Sequence, residues 1–123
     1  MTRLGLVAAA ALLVVACGKG SKSSAEVVQA WKKAGLSPSE FAKAETKLGG
    51  ACQAGSVNGI DTILCEFKDE TAAKQAQEKG LEIIGETTGA SLAKGRMLLV
   101  VADRKNSDPN GRQINEITKT FRQ

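Results

Sequence analysis

Ser91 and Lys94 are the first residues whose types and spacing could carry chemistry. They have the S-x-x-K spacing of penicillin-binding enzymes, in which the lysine lies one helical turn from a nucleophilic serine. The companion K-T-G and S-D-N motifs are absent, and the chain is short for that fold. An accidental match is therefore the favoured interpretation, and a histidine-free Ser/Lys hydrolase is the less favoured one.

A second group of residues has the spacing of the first half of a calcium-binding loop: Asn106, Asp108, Asn110 and Gly111. Position twelve of such a loop would be Ile117 instead of a bidentate Glu, and Asp108 is more simply a helix cap. The chain contains no histidine, which excludes His-based acid–base catalysis, Ser/His and Cys/His nucleophile pairs and the common zinc sites. We therefore predict no catalytic residue, no bound metal and no cofactor.

The cysteines form the third group, and Cys17 is set apart by the residues before it. Residues 13–17 read Leu-Val-Val-Ala-Cys, Arg3 supplies a positive charge near the amino terminus, and segment 4–15 is apolar throughout. This segment is too short to span a bilayer, which takes about 20 residues as a helix. The pattern resembles the signal peptide and lipobox of bacterial lipoproteins. A leader with an incidental cysteine is the alternative.

The resemblance implies that residues 1–16 are removed and that the Cys17 thiol carries a diacylglyceryl group, usually with a third acyl chain on the new amino terminus. Two or more acyl chains hold a protein stably on a membrane. By the same resemblance, Gly18 in place of an Asp after the cysteine favours the outer membrane over the inner one. Residues 17–24 are rich in Gly, Ser and Lys and are predicted to be a flexible tether, and residues 25–123 to be one compact domain.

Asn58 and Gly59 predict a two-residue hairpin turn between strands at 52–57 and 60–67. In that register Cys52 lies directly opposite Cys65 at a non-hydrogen-bonded position, within the distance that a disulfide accepts. We predict a Cys52–Cys65 disulfide. The alternative is a pair of reduced structural or metal-binding thiols, which an oxidising envelope disfavours.

Two short helices are predicted before the hairpin. In the first, at 25–34, Val27, Val28 and Trp31 share a face at helical spacing. Trp31 is predicted to lie in the core, with a position at the membrane interface as the alternative. The second helix would begin at Ser37, where Pro38 and Glu40 complete the signals of a capping box, and would run to residue 48.

After the hairpin, Asp69 is predicted to cap a helix that ends at Gly80. Segment 82–86 is ambiguous between an extension of this helix and a short strand, and we predict the strand. The apolar run 97–102 predicts a central strand, and a last helix would begin at Asp108 and end near residue 121. The predicted fold class is α+β: two N-terminal helices, then ββαββα, with an antiparallel sheet of four strands, helices mainly on one face and one disulfide.

Charge is uneven along the chain. The formal net charge is +4, and the segment after residue 90 contains seven basic and three acidic side chains. The basic ones form a candidate interaction patch: Lys94, Arg96, Arg104, Lys105, Arg112, Lys119 and Arg122. An exported protein does not normally meet nucleic acid, so anionic lipid, a glycan or an envelope protein are the candidate partners. A solvated surface of mixed charge is the alternative interpretation.

The sequence therefore predicts a cell-envelope lipoprotein that is attached to the membrane through Cys17. The periplasmic side of the outer membrane is favoured over the inner membrane. Its domain would act as a non-catalytic binding or accessory module. A small-ligand carrier is the alternative function, and the Ser91/Lys94 hydrolase is the less favoured one.

Overall fold

A computed structural model describes residues 22–123. These residues form helices and strands in the order αβββαββα. The helices are α1 (Ser24–Lys33), α2 (Glu70–Ile84) and α3 (Arg112–Arg122). The strands are β1 (Ala42–Ala44), β2 (Ala51–Val57), β3 (Ile60–Glu66), β4 (Gly89–Lys94) and β5 (Met97–Ala102). The signal peptide predicted at 1–16, the lipobox with Cys17 and most of the predicted tether lie outside the described residues.

The strands form one antiparallel sheet in the order β1-β2-β3-β5-β4. This confirms the predicted α+β class and the antiparallel sheet, but the sheet has five strands, not four. All six residues of β5 are buried, as the apolar run predicted. β5 lies between β3 and β4, and β3 occupies the centre of the sheet.

The β2–β3 hairpin has the predicted turn and register. Asn58 and Gly59 have φ angles of 52° and 82°, a left-handed conformation that Asn tolerates and Gly adopts without cost. Val57 pairs with Ile60 and Cys52 pairs with Cys65, and the two cysteine sulfurs are bonded. The predicted disulfide is confirmed, and it staples the end of the hairpin farther from the turn.

Helices cover both faces of the sheet. On one face α1 and α3 pack with alternate residues of β3 and β5, including Leu64, Leu99 and Val101. On the other face α2 packs with Leu98, Val100 and the disulfide. The prediction of helices mainly on one face accounts only for α1 and α3. The second layer is needed because β5 presents apolar side chains in both directions, and both sets must leave water.

The helix predicted from Ser37 to residue 48 is wrong, because this segment pairs with β2. The backbone N–H of Ser39 donates to the carbonyl of Ser56 at 2.8 Å, and Pro38 forms a bridge with Val57. The short strand β1 continues this pairing along the sheet edge. Gly55 makes room for it, since a Cβ there would lie 2.8 Å from the Phe41 ring. Ladder hydrogen bonds and ring packing thus outweigh the local helix signals.

The predicted end of α2 at Gly80 and the strand predicted at 82–86 are also wrong. The helix continues to Ile84, with Gly85 at its C-cap, and the strand β4 begins at Gly89. Gly80 is a contact residue, because a Cβ at this position would lie 2.2 Å from the Ser91 Oγ and 2.9 Å from Val100 Cγ2. The glycine lets the helix backbone approach the sheet closely, so it serves packing and does not end the helix.

The starts of α1 and α3 differ from the prediction by a few residues. Ser23 is the N-cap of α1 in a complete capping box with Glu26, so the last two residues assigned to the tether belong to the folded domain. α3 begins at Arg112 instead of Asp108. Its predicted buried stripe of Ile114, Ile117 and Phe121 is confirmed. The predicted start was therefore one residue late for α1 and four residues early for α3.

Candidate functional site

Ser91 and Lys94 do not form the Ser/Lys pair of a hydrolase in this fold. Both lie on β4, where residues three apart point to opposite faces of the sheet. The buried Ser91 hydroxyl donates to the Gln77 carbonyl of α2 at 2.8 Å. The Lys94 Nζ contacts the Arg122 carbonyl at the end of α3. The S-x-x-K spacing places a lysine beside a serine only in a helix, so here the two side chains have separate structural contacts.

The segment around the calcium-like motif contains a hydrogen-bond network centred on two buried aspartates, Asp103 and Asp108. The Asp103 carboxylate accepts hydrogen bonds from the Ser107 backbone N–H (2.9 Å), the Ser107 hydroxyl (3.1 Å) and the Asp108 backbone N–H (2.8 Å). The Asp108 carboxylate accepts from the backbone N–H groups of Gln113 (3.0 Å) and Ile114 (2.9 Å). The N-cap residue of α3 is Gly111 and not Asp108 as predicted, although the Asp108 carboxylate binds N–H groups of the first helical turn, and sequence reasoning missed Asp103. The two carboxylates together fix loop 103–111 and the start of α3.

The hydrogen bonds also set the charge state of Asp103. Burial raises the pKa of its carboxyl, but the hydrogen bonds from the Ser107 and Asp108 backbone and the Ser107 hydroxyl favour the charged form. The net effect is a pKa below the ordinary value for Asp. The carboxylate is therefore ionised in the folded protein at neutral pH. Its negative charge strengthens the hydrogen bonds that hold the loop.

We expect Asp103→Asn to destabilise the domain at neutral pH and to make its stability less dependent on pH in acid. A carboxyl whose pKa is lower in the folded state stabilises the fold above its unfolded-state pKa, and this contribution is lost as the pH falls through the folded-state pKa. The difference between parent and Asp103→Asn should thus shrink below about pH 4. Urea unfolding of both proteins at pH 7 and at several pH values below 4 measures this difference in the free energy of unfolding. Asp61→Asn controls for the removal of one negative charge, and a constant difference at every pH would contradict the assignment.

Trp31 lies in the core, as predicted, and not at a surface. Its side chain is fully buried, its indole Nε1–H donates to the Ile117 carbonyl of α3 at 3.0 Å, and its ring stacks on Phe41 at 6.1 Å between centroids. The indole thus links α1 to α3. This use of the ring leaves no part of it for a membrane interface.

The fold divides the predicted basic patch between the two ends of the sheet. Lys94 pairs with Met97 at the end of the sheet where β3 finishes at Glu66, here called the Glu66 end. The opposite end, where Asp61 pairs with Ala102, is called the Asp61 end. Helix α3 runs between them and is about 16 Å long. The seven residues therefore form two sets and not one continuous surface.

The Glu66-end basic set contains Lys94, Arg96, Lys119 and Arg122. Lys94 is the last residue of β4 and Arg96 lies in the β4–β5 turn, and Lys119 and Arg122 lie in the last turn of α3, which contacts Lys94. All four are exposed. This set is the larger concentration of positive charge that the fold creates from the predicted patch.

The Asp61-end basic set contains Arg104, Lys105 and Arg112. The Arg104 Nε lies 3.4 Å from the Asp61 carboxylate, and its Nη2 donates to the Ile83 carbonyl. Arg112 begins α3 beside Gln113, whose side chain contacts the Asn58 amide in the hairpin turn. Asp61, Asp103 and Asp108 lie at the same end, so acidic groups accompany these basic ones.

Glu66 is a structurally important residue that sequence reasoning missed. Its carboxylate oxygen Oε2 accepts from both the backbone N–H (3.0 Å) and the hydroxyl (2.9 Å) of Ser24, at the first residue of α1. The two residues are 42 positions apart, so no local pattern could reveal the contact. The contact fixes where the chain from Cys17 enters the domain.

An open groove of about 720 Å³ lies between loop 45–47 and α2. Two acidic, two basic, one hydroxyl-bearing and one apolar side chain line it: Glu45, Thr46, Lys47, Lys79, Glu82 and Ile83. The lining therefore presents apolar surface together with charged groups. Within residues 22–123 there is no cluster of three or more Cys, Asp or Glu side chains that could hold a metal ion.

Comparison with known proteins finds no relative of this chain. No protein-family model matches the chain, and no curated protein and no solved structure matches it. In the part of the chain that the structure describes, no helix has the length and apolar character needed to cross a membrane. The function must therefore be argued from the residues and the geometry alone.

Proposed function

We propose that this protein is a lipid-anchored lipoprotein of the bacterial cell envelope whose domain is a non-catalytic binding or accessory module. The observation that carries the proposal is the run 13–17, which matches a lipobox in register with a short apolar segment and a positive amino terminus. Gly18 after Cys17 favours the outer membrane by the same resemblance. Attachment through acyl chains on Cys17 follows from this pattern.

The start of the domain supports an anchor close by. The capping box of Ser23 and Glu26 defines the beginning of α1, so only residues 18–22 separate Cys17 from rigid structure. A flexible coil of that size and composition spans about 13 Å on average. A domain attached in this way would stay within roughly one tether length of the membrane surface.

The use of the chemistry-bearing side chains supports a non-catalytic role. Ser91 and Asp108, which the two sequence motifs singled out, and Asp103, which they did not, all hold helices or loops in place through hydrogen bonds. Among residues 22–123 no buried side-chain nitrogen or oxygen lacks a hydrogen-bond partner. A catalytic group usually has polar atoms free to meet a substrate, whereas these groups are satisfied by the protein itself.

The alternative function is a small-ligand carrier, which the groove between loop 45–47 and α2 favours. Its lining would offer a small ligand apolar surface together with a few charged groups. Native mass spectrometry of protein purified from its own envelope tests this alternative. An additional mass that is lost on unfolding, and lost in a Lys47→Ala/Glu82→Ala variant, would favour the carrier over the accessory module.

Cys17→Ala is expected to move the protein from the membrane fraction to the soluble fraction. The substitution removes the thiol that would carry the diacylglyceryl group, and no acyl chain would remain to hold the domain. Fractionation of cells and the intact mass of the protein measure the two effects. The parent should show the added mass of the acyl chains, and the variant should not.

The control for this experiment is the Cys52–Cys65 disulfide, which should form in the Cys17→Ala protein because Cys17 takes no part in it. Thiol alkylation before and after reduction measures it. If mature protein contained Cys17 in a disulfide, or if Cys17→Ala stayed in the membrane fraction, the lipoprotein proposal would be wrong.

A further inference from the structure

The chain from Cys17 enters the domain at the Glu66 end of the sheet. Both hydrogen bonds of Ser24 to Glu66 hold the first residue of α1 at the last residue of β3, which pairs with Met97. Lys94 precedes the turn before Met97, and Arg96 lies in that turn. The Glu66-end basic set thus lies at the same end of the sheet as the point where the chain enters the domain, whereas the Asp61-end set lies at the far end of β5.

Carboxylates near this entry point are directed to backbone N–H groups. Glu66 accepts twice from Ser24, Glu26 accepts from the Ser23 N–H at 2.9 Å, and Asp69 accepts from the Ala72 N–H at 2.8 Å. Glu70 is exposed at the start of α2. The basic groups at this end include the set itself and Lys22 and Lys68, which are also exposed or half-buried. The carboxylates keep their charges, so the six basic side chains named at this end exceed its four carboxylates by two positive charges.

The two basic sets would lie at different distances from a membrane that holds the acyl chains on Cys17. The strand β5 has six residues and extends about 20 Å from the Glu66 end to the Asp61 end. The Debye length at physiological ionic strength is about 8 Å, so the field of an anionic surface acts strongly only within that range. The tether that the composition of residues 18–22 predicts, about 13 Å on average, would let the Glu66 end reach the headgroups while the Asp61 end stays beyond them.

We propose that the Glu66-end basic set (Lys94, Arg96, Lys119 and Arg122) docks on anionic phospholipid headgroups of the membrane that holds the Cys17 acyl chains. The hairpin turn at Asn58 and loop 103–111 then face away from the membrane, toward other envelope components. This inference rests on the proposed lipid anchor and specifies its orientation. The accessory module would present the Asp61 end to its partners.

Lysine footprinting on vesicles tests the orientation with the full lipidated protein. The protein is reconstituted into phosphatidylcholine vesicles with or without about 30% phosphatidylglycerol, an anionic content in the range that gives a strong surface potential. An amine-reactive reagent is added, and mass spectrometry compares Lys94 with Lys105 in the same molecules. We expect Lys94 to be protected on the anionic vesicles only, with Lys105 labelled equally on both, and protection to disappear in high salt.

Matched charge removal supplies the control. Lys119→Gln with Arg122→Gln removes two charges from the Glu66 end, and Arg104→Gln with Arg112→Gln removes two from the Asp61 end. Each basic side chain near an anionic surface strengthens binding about fivefold, so the first variant should lower the ratio of docked to undocked protein about 25-fold. The second variant should leave Lys94 protection unchanged. Thermal unfolding of both variants confirms that they are folded.

The outcomes separate the orientation from the anchor. Equal Lys94 labelling on both vesicles, with acylated Cys17 seen in the intact mass, overturns the orientation and leaves the lipoprotein proposal standing. Absence of acyl chains on Cys17 overturns both. Protection of Lys105 in place of Lys94 also overturns the orientation, as does protection of Lys94 by an isolated anionic glycan but not by anionic vesicles.

Discussion

Trp31→Ala is expected to lower the free energy of unfolding by about 3–5 kcal/mol, the usual cost of removing a large aromatic side chain from a core. The indole is fully buried between α1 and α3 and stacks on Phe41. The substitution also leaves the Ile117 carbonyl without its donor from Nε1. Because Trp31 is the only tryptophan, unfolding should be followed by circular dichroism instead of fluorescence.

Trp31→Phe separates the ring from its hydrogen bond. It keeps an aromatic ring against Phe41 but removes the Nε1 donor, so a smaller loss of about 1–3 kcal/mol is expected, that of a buried acceptor left unpaired. A loss below 1 kcal/mol for Trp31→Ala would contradict the placement of the indole at the centre of the α1–α3 layer. The proposed membrane attachment through Cys17 should be the same in all three proteins.

Removal of the disulfide by Cys52→Ala with Cys65→Ala is expected to cost about 2–3 kcal/mol, at or below the value for a cross-link that closes a free loop of this size. The two residues are 13 apart and both are buried against α2. The hairpin turn already brings the strands together, which reduces the entropy that the bridge removes from the unfolded chain. Urea unfolding of oxidised parent, reduced parent and the double variant measures the effect.

The reduced parent is the internal control for this prediction. Reduction removes the cross-link but keeps both side chains, so its stability should lie close to that of the double variant if the cross-link is the main contribution. A double variant as stable as the oxidised parent would show that the turn and the packing of β2 on β3 suffice. Far greater instability of the double variant than of reduced parent would instead assign the effect to lost packing.

The hairpin is predictable because its determinants are adjacent in the chain. Asn58 and Gly59 adopt positive φ at the turn, and this alone sets the register that opposes Cys52 and Cys65. Asp69 is predictable for the same reason, because its side chain caps α2, which begins at the next residue. Such elements depend on interactions within a few residues, which sequence patterns describe well.

The segment after Ser37 shows where local reasoning fails. Ser37, Pro38 and Glu40 carry the signals of a helix start, yet the Ser37 backbone N–H donates to the Asn58 side chain at 2.7 Å and its carbonyl accepts from the Asn58 N–H at 3.0 Å. Pairing with a strand from a different part of the chain satisfies the same backbone groups. Gly55, a glycine within a strand, is the one signal that could have indicated a close neighbour there.

The candidate chemical motifs fail for a related reason. The S-x-x-K and calcium-loop patterns count residues, whereas the chemistry requires a particular backbone conformation between them. Ser91 and Lys94 lie on a strand, and Asp108 lies in a loop that caps α3. The spacing is the same in every conformation, so only the fold shows that these side chains face apart or bind backbone.

By itself the sequence determines the α+β class, the hairpin with its disulfide, the buried stripe of α3 and the burial of β5, because each follows from turn chemistry or from the period of apolar residues. It also contains the lipobox-like run that motivates the proposed anchor. Only the tertiary structure decides that helices cover both faces of the sheet, that Ser24 binds Glu66, and that the basic residues divide between two ends. These features depend on contacts between residues far apart in the chain, where the net gain from burying both faces outweighs local preference.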